Sequence, residues 1–212
     1  MSDVAGRLAR YGELLLLRNQ EFNLTGARDA DAIAAQIADA LTLLPLLQDA
    51  GELIDVGTGG GLPAVPLAIA RGMRVTLVDA TAKKITFVSS VIAELGIEGE
   101  AIAARAETLA RDARFRDRFT YATARAVASA PAVIELTLPF LAPGGRALLQ
   151  RGAAASAEHD AARETALALG GEVTAELPLE GERRILIVTK RSPTPARFPR
   201  RVGVAQKRPL FS

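Results

Sequence analysis

Asp55-Val56-Gly57-Thr58-Gly59-Gly60-Gly61-Leu62-Pro63-Ala64 is the stretch whose reading decides the fold. It follows apolar Leu53-Ile54 and leads into residues at helical spacing, with Pro63 expected at the first helical position. Gly57 and Gly59 permit a tight turn that brings main chain within contact distance of a ligand. A dinucleotide-binding turn wants G-x-G-x-x-G/A, where the last small residue lets the helix approach a pyrophosphate. Counting from Gly57, that position is Leu62. The chain instead reads D-x-G-x-G-x-G, with acidic Asp55 near the strand end.

Downstream of this turn, short apolar runs alternate with helical ones. Strands are expected at 52–56, 73–78, 100–104, 119–124 and 145–150, and helices at 63–71, 82–95, 106–112, 129–141 and 155–169. This rhythm is the βαβ signature of a parallel sheet. Two further strands, 172–177 and 184–190, are separated only by Pro178 to Arg183. That link is too short for a helical crossover, so the pair is expected to be antiparallel and to close a sheet edge. Upstream, apolar residues at helical spacing predict helices over 4–18 and 30–48, with a polar turn from Asn19 to Arg28 between them. The division expected is a helical extension at 1–50 packed on the core, a main domain at 51–191, and a basic, Pro-rich tail at 192–212. Pro193, Pro195, Pro199 and Pro209 predict that the tail is extended or irregular.

Composition excludes several chemistries. The chain has 212 residues and no cysteine, which rules out disulfides, thiolate metal sites and thiol nucleophiles. Its one histidine, His159, lies in a polar, helix-like stretch from Ser156 to Arg163 and reads as an exposed surface residue without a partner. Neither a Ser-His-Asp triad nor a zinc site is therefore expected. No apolar run reaches the roughly 18–20 residues that span a bilayer. The first residues lack the basic and apolar regions of a signal peptide, which predicts a cytoplasmic chain. Charge is unevenly placed: residues 183–212 hold nine basic and no acidic side chains, whereas 1–182 carry a net charge of −7. A basic ending on an acidic body suits a polyanionic partner.

Asp79 closes the run Val75-Thr76-Leu77-Val78, twenty-two residues after Gly57. A carboxylate there is placed to accept both hydroxyls of a ribose, a device shared by nicotinamide cofactors. The D-x-G-x-G-x-G form itself resembles the first motif of S-adenosylmethionine-dependent methyltransferases. Their cofactor has no pyrophosphate and carries positive charge, for which Asp55 offers a compensating field.

With these residues in place, the chain resembles the RsmG (GidB) family, which methylates N7 of a guanosine in small-subunit ribosomal RNA. The likeness runs through Asn23-Leu24-Thr25, residues 55–64, Val78-Asp79 with Lys83-Lys84, and Arg105-Ala106-Glu107. It continues through Thr123-Ala124-Arg125-Ala126-Val127-Ala128, Arg151-Gly152 and the Arg- and Pro-rich ending. The resemblance implies a Rossmann-like α/β fold with a mostly parallel sheet of roughly seven strands, an antiparallel edge and N-terminal helices. It implies S-adenosylmethionine as cofactor, with Gly57, Gly59, Gly61 and Leu62 in the loop, Asp79 at the sugar, Ala106 and Glu107 beside the adenine, and Arg125 at the site mouth. Departures from the family pattern are Ala64 for a glycine at the end of the loop, a mild change, and Gln36 for a histidine, Thr120 for an aspartate and Arg151 for a lysine; they bear on the substrate contacts more than on the cofactor site.

Methylation of N7 needs no general base, because the nitrogen already offers a lone pair. No catalytic residue is assigned on this reading. Arg125 and Arg151 are substrate-positioning candidates, each at the C-terminal end of a strand, where open α/β sheets bind ligands. Ribosomal RNA is the expected partner, with the tail cations on phosphates and Phe198 and Phe211 stacking on bases. On that view, removing 192–212 weakens RNA binding and spares cofactor affinity. A monomer without metal or membrane contact is expected. A small-molecule methyltransferase, a nicotinamide-dependent oxidoreductase and a nucleotide-sensing protein remain alternatives.

Overall fold

Strand β1 (Leu53–Val56) pairs in parallel with β2 (Val75–Asp79), and β2 with β3 (Gly99–Ala103), giving the order β3-β2-β1. All four residues of β1 and all five of β2 are buried, without alternation. Strands covered on both faces read as continuous apolar runs, which is how they stood out in the sequence. The computed structural model describes residues 4–48, 51–125, 128–152 and 158–211. Ala126, Val127 and Ser156, singled out above, lie outside them. The chain divides into two compact units, 1–103 and 104–212.

In the first unit, α1 (Val4–Asn19) and α2 (Ala30–Leu41) pack on each other and on α3 (Ala64–Arg71), and α1 also meets α4 (Ala82–Glu94). Asp29 caps α2, its side chain accepting from Ala32 N at 2.8 Å. The helix expected to run to 48 stops at Leu41, and Leu44–Leu46 form a 3₁₀ turn around Pro45. Proline cannot donate the next helical hydrogen bond, and it restricts the residue before it. Pro63 likewise stands one place earlier than expected, at the N-cap of α3.

The second unit contains α5 (Ala106–Leu109), β4 (Phe119–Arg125), α6 (Ala130–Thr137), β5 (Leu141–Arg151), α7 (His159–Ala168), β6 (Gly171–Pro178), β7 (Arg184–Lys190) and α8 (Val204–Lys207). β4 and β5 are parallel. β7 runs antiparallel to both β5 and β6, which confirms the antiparallel pair expected from its short link. β5 starts at Leu141 rather than 145, because Ala142-Pro143-Gly144-Gly145 is absorbed in a bulge between the Phe119 and Tyr121 pairings. A Cβ at Gly145 would lie 2.8 Å from the Phe119 carbonyl oxygen, so only glycine passes there.

The Pro-rich ending is irregular as expected up to Arg201, but it then forms the one-turn helix α8, and it lies against the rest of the second unit. Arginines elsewhere in the unit supply donors to several of its carbonyls. Arg116 donates to the Thr194 carbonyl at 2.7 Å and the Phe198 carbonyl at 3.1 Å, and Arg111 donates to Pro199. Phe198 is buried, which corrects its expected role as a base-stacking ring, whereas Phe211 remains exposed. Lys190, fully buried, anchors the start of the arm: its Nζ donates to Asp117 Oδ1 (2.9 Å), the Leu138 carbonyl (2.9 Å) and Thr194 Oγ1 (2.6 Å). Burial lowers its pKa, and the Asp117 carboxylate partly restores it.

Candidate functional site

The glycine turn of the first unit is shaped from both ends. The amides of Gly57 and Thr58 donate to the Val78 carbonyl at 2.8 and 3.0 Å, and Gly61 N closes back on the Thr58 carbonyl at 2.8 Å. Gly59 and Gly61 have φ of +58° and +100°, backbone conformations that side chains disfavour. At Gly61 space is lacking too, since a Cβ would lie 2.6 Å from Val65 Cγ2.

The turn meets the end of β2 at Asp79. Gly59 N donates to Asp79 Oδ2 at 3.1 Å, Thr81 N donates to Oδ1 at 2.8 Å, and Lys84 Nζ is 3.9 Å from Oδ2. A carboxylate has about four acceptor positions. Two are filled by amides that fix the group, and the remainder suits a ligand with adjacent hydroxyls. Asp55 is buried at the start of the same turn. The residues present therefore fit a nucleoside, with its sugar on Asp79.

Behind the turn lies a loop whose organiser the sequence did not announce. Asn19 Oδ1 accepts from the amides of Leu24 (2.8 Å) and Thr25 (2.9 Å), while its Nδ2 donates to the Ala27 carbonyl at 2.6 Å. Thr25 Oγ1 bonds Gln36, so the glutamine that replaces the family's histidine tethers this loop to α2. Leu24 is buried, and its carbonyl oxygen would stand 3.5 Å from a Cβ at Gly59. Asn19, Asn23, Thr25 and Arg28 contribute to the wall of an open cavity of about 380 Å³. Asn19 is a helix-ending asparagine four residues before Asn23-Leu24-Thr25, the one local signal that pointed to it.

In the second unit, Ala106 and Glu107 open α5 and are buried. Glu107 Oε1 accepts from Gly203 N at 2.8 Å. Arg125 ends β4, half-buried and in register with Gln150 of β5. Arg151 ends β5 with its guanidinium engaged: it donates to the Ala128 carbonyl and, at 3.1 Å, to Glu158 Oε2, which also accepts from Ala130 N. The structure thus places Arg151 in support of the segment that follows Arg125. His159, expected to be exposed and alone, is half-buried with Nδ1 against Glu176 Oε1. Its partner lies on β6, out of reach of any local pattern. Glu135, another unanticipated residue, is a fully buried carboxylate gripped by Arg200. A lone acid inside the apolar run Pro131–Phe140 was its only sequence signal.

Comparison with known proteins fits this geometry. The family model described as rRNA small subunit methyltransferase G matches residues 5–187. The Deinococcus deserti protein named ribosomal RNA small subunit methyltransferase G is 40% identical, over 99% of this chain and 91% of its own length. Its Chloroflexus aggregans namesake is 42% identical, over 95% and 88%. Among solved structures, an O-methyltransferase from Bacillus cereus in complex with SAH superimposes with a TM-score of 0.65 at 18% identity, covering 85% of this chain and 91% of that one. A ribosomal protein L11 methylase from Lactobacillus delbrueckii subsp. bulgaricus gives 0.59 at 15%, covering 79% and 81%. These two likenesses bear on fold alone, and they are to the Rossmann-like methyltransferase class: seven strands, mostly parallel, with an antiparallel edge.

Proposed function

Because the chain belongs to the rRNA small subunit methyltransferase G (GidB) family, we propose that it methylates N7 of a guanine in small-subunit (16S) ribosomal RNA, with S-adenosylmethionine as donor. The observation that carries the cofactor half is the Asp79 carboxylate, held beside the glycine turn by the amides of Gly59 and Thr81. Gly57, Gly59, Gly61 and Leu62 take the loop side of the cofactor, Asp79 its ribose, Ala106 and Glu107 its adenine, and Arg125 stands at the mouth. S-adenosylmethionine held by these residues would supply a methyl group on a sulfonium, and the N7 lone pair would take it with the sulfur–carbon bonding pair left on sulfur.

No proton has to leave N7, so this chain's side chains serve to bind and orient. Holding two reactants in line is worth about 7–11 kcal/mol of barrier. The lack of cysteine and the engagement of His159 with Glu176 accord with chemistry that needs neither a nucleophile nor a base. Arg125 is assigned to the substrate, where a guanidinium donates twice to guanine or grips a phosphate. Arg151 supports it by fixing the Ala128 carbonyl three residues on. Among the described residues no helix is long and apolar enough to cross a membrane. We place the protein in the cytoplasm as a monomer acting on the small subunit or an assembly intermediate.

The test is mass spectrometry of 16S rRNA nucleosides from cells with and without the gene. Loss of one 7-methylguanosine is expected, and an unchanged profile would overturn the proposal. Calorimetry should show binding of S-adenosylhomocysteine and none of NAD.

A further inference from the structure

Glu107 is held by a residue far along the chain. Gly203, ninety-six positions later, donates its amide to Oε1 at 2.8 Å, and no such bond reaches Oε2 among the described residues. A buried carboxylate without a donor is costly, so this bond fixes how the side chain sits. Gly203 has φ of +76°, and a Cβ there would meet nothing within 4 Å. Backbone conformation, and not crowding, is what calls for glycine at this point.

The arm that carries Gly203 is secured on both sides of it. Upstream, Arg200 donates to buried Glu135 through its amide (2.7 Å), Nε (2.9 Å to Oε2) and Nη2 (2.6 Å). Downstream, Thr165 Oγ1 donates to the Leu210 carbonyl at 3.2 Å. Ala205 between them is buried. Arg197, Arg201, Lys207 and Arg208 of the same arm are exposed. The match to the family model stops at residue 187, whereas the Deinococcus deserti relative aligns over 99% of the chain.

We propose that residues 192–211 form a positioning arm for the cofactor's adenine. The Gly203 amide occupies Glu107 Oε1 and leaves Oε2 to accept from the adenine amino group. The exposed cations of the same arm take RNA phosphates. This rests on the assignment of Glu107 to the adenine. It replaces the division of labour expected from sequence, in which loss of the tail spares cofactor affinity.

The test compares the full chain with three variants. The first is truncated after Arg201, keeping the Arg200–Glu135 anchor. The second is R201A/K207A/R208A, and the third is Glu107→Gln. Calorimetry measures S-adenosylhomocysteine and its inosine analogue, in which a carbonyl acceptor replaces the amino donor. The full chain is expected to favour the adenine form by about tenfold or more, the worth of one buried hydrogen bond to a charged group. The truncated chain should bind it about tenfold more weakly and lose the preference, raising KM for the methyl donor while kcat holds. The triple variant should keep both affinity and preference, and lose RNA affinity with a shallower salt dependence.

Glu107→Gln does not depend on the truncated chain folding well. With its Oε1 still accepting from Gly203, its amide nitrogen faces the base, and the preference should reverse towards the inosine analogue. Should the full chain bind S-adenosylhomocysteine while truncation and Glu107→Gln both leave the preference unchanged, the arm's role is refuted and the methyltransferase reading stands. Failure of the full chain to bind the nucleoside at all would instead remove that reading itself.

Discussion

The hydroxyl of Tyr11 donates to the carbonyl of Gly60 at 2.9 Å, joining the first helix to the glycine turn across 49 residues. The ring is fully buried, and a Cβ at Gly60 would lie 2.6 Å from Leu15 Cδ1 on the same helix. The N-terminal helix is thus one wall of the turn: its aromatic residue and its leucine together set where residues 59–61 run. A residue legible in the sequence only as an apolar position of α1 acts on the candidate cofactor loop.

Tyr11→Phe removes that donor and leaves a buried carbonyl unsatisfied, at about 1–3 kcal/mol. For a chain of this size about 2–4 °C of melting temperature is lost per kcal/mol. We expect a lower Tm by calorimetry, together with weaker S-adenosylhomocysteine binding. A variant that melts lower yet binds as the parent does would show that the turn keeps its shape without α1.

Asp79→Asn keeps the shape of the side chain and replaces one acceptor oxygen by a donor, which then faces an amide or a ribose hydroxyl. Either clash forfeits about 1.5–3 kcal/mol, the worth of hydrogen bonds to a charged group. Nucleoside affinity should fall at least about tenfold with far-ultraviolet circular dichroism unchanged. Parent-like affinity would exclude Asp79 from the sugar site.

Arg200→Ala strands the Glu135 carboxylate in the core, where its side chain is fully buried. Breaking a buried pair on one side costs about 3–5 kcal/mol, whereas replacing both partners by apolar residues is often neutral. Urea denaturation should show a large drop for Arg200→Ala and recovery of most of it in R200M/E135M. Equal losses in the two would place the stabilisation in the ion pair itself.

Glu176 and Lys190 each contribute to the pH dependence of stability. Burial pushes the Glu176 pKa up, but the His159 ring and the Arg184 guanidinium outweigh it and hold the carboxyl below the usual glutamate value. A folded value below the unfolded one gives stability above the ordinary glutamate range that is lost as pH falls through the folded value. Glu176→Gln should flatten the acid limb of a stability profile. Lys190 is also lowered, chiefly by burial, with Asp117 opposing. The folded state then sheds its proton first, so stability rises with pH in the alkaline range below the ordinary lysine value of 10.5. Lys190→Met should abolish that rise, and a profile identical to the parent's would contradict it.

The parallel strands and the glycine turn were readable because their signals are local. An apolar run such as Val75–Val78 bounded by polar residues is a buried strand in nearly any setting. The spacing of Gly57, Gly59, Gly61 and Asp79 encodes one turn and the tip of the next strand, so these residues meet as their positions implied. Boundaries set by competition between neighbours were harder, as at Pro45 and at the bulge before Gly145.

The amino-acid order alone determined the type of sheet, the glycine turn and the exclusion of thiol and triad chemistry, all of which depend on residue identity and short spacing. Tertiary structure decided which polar groups meet: Glu107 with the Gly203 amide, Glu135 with Arg200, His159 with Glu176, and whether Phe198 points inward. Such pairings join residues 17 to 96 positions apart. They form only where packing of the whole second unit has already brought the segments together and removed water, so no periodicity along the chain records them.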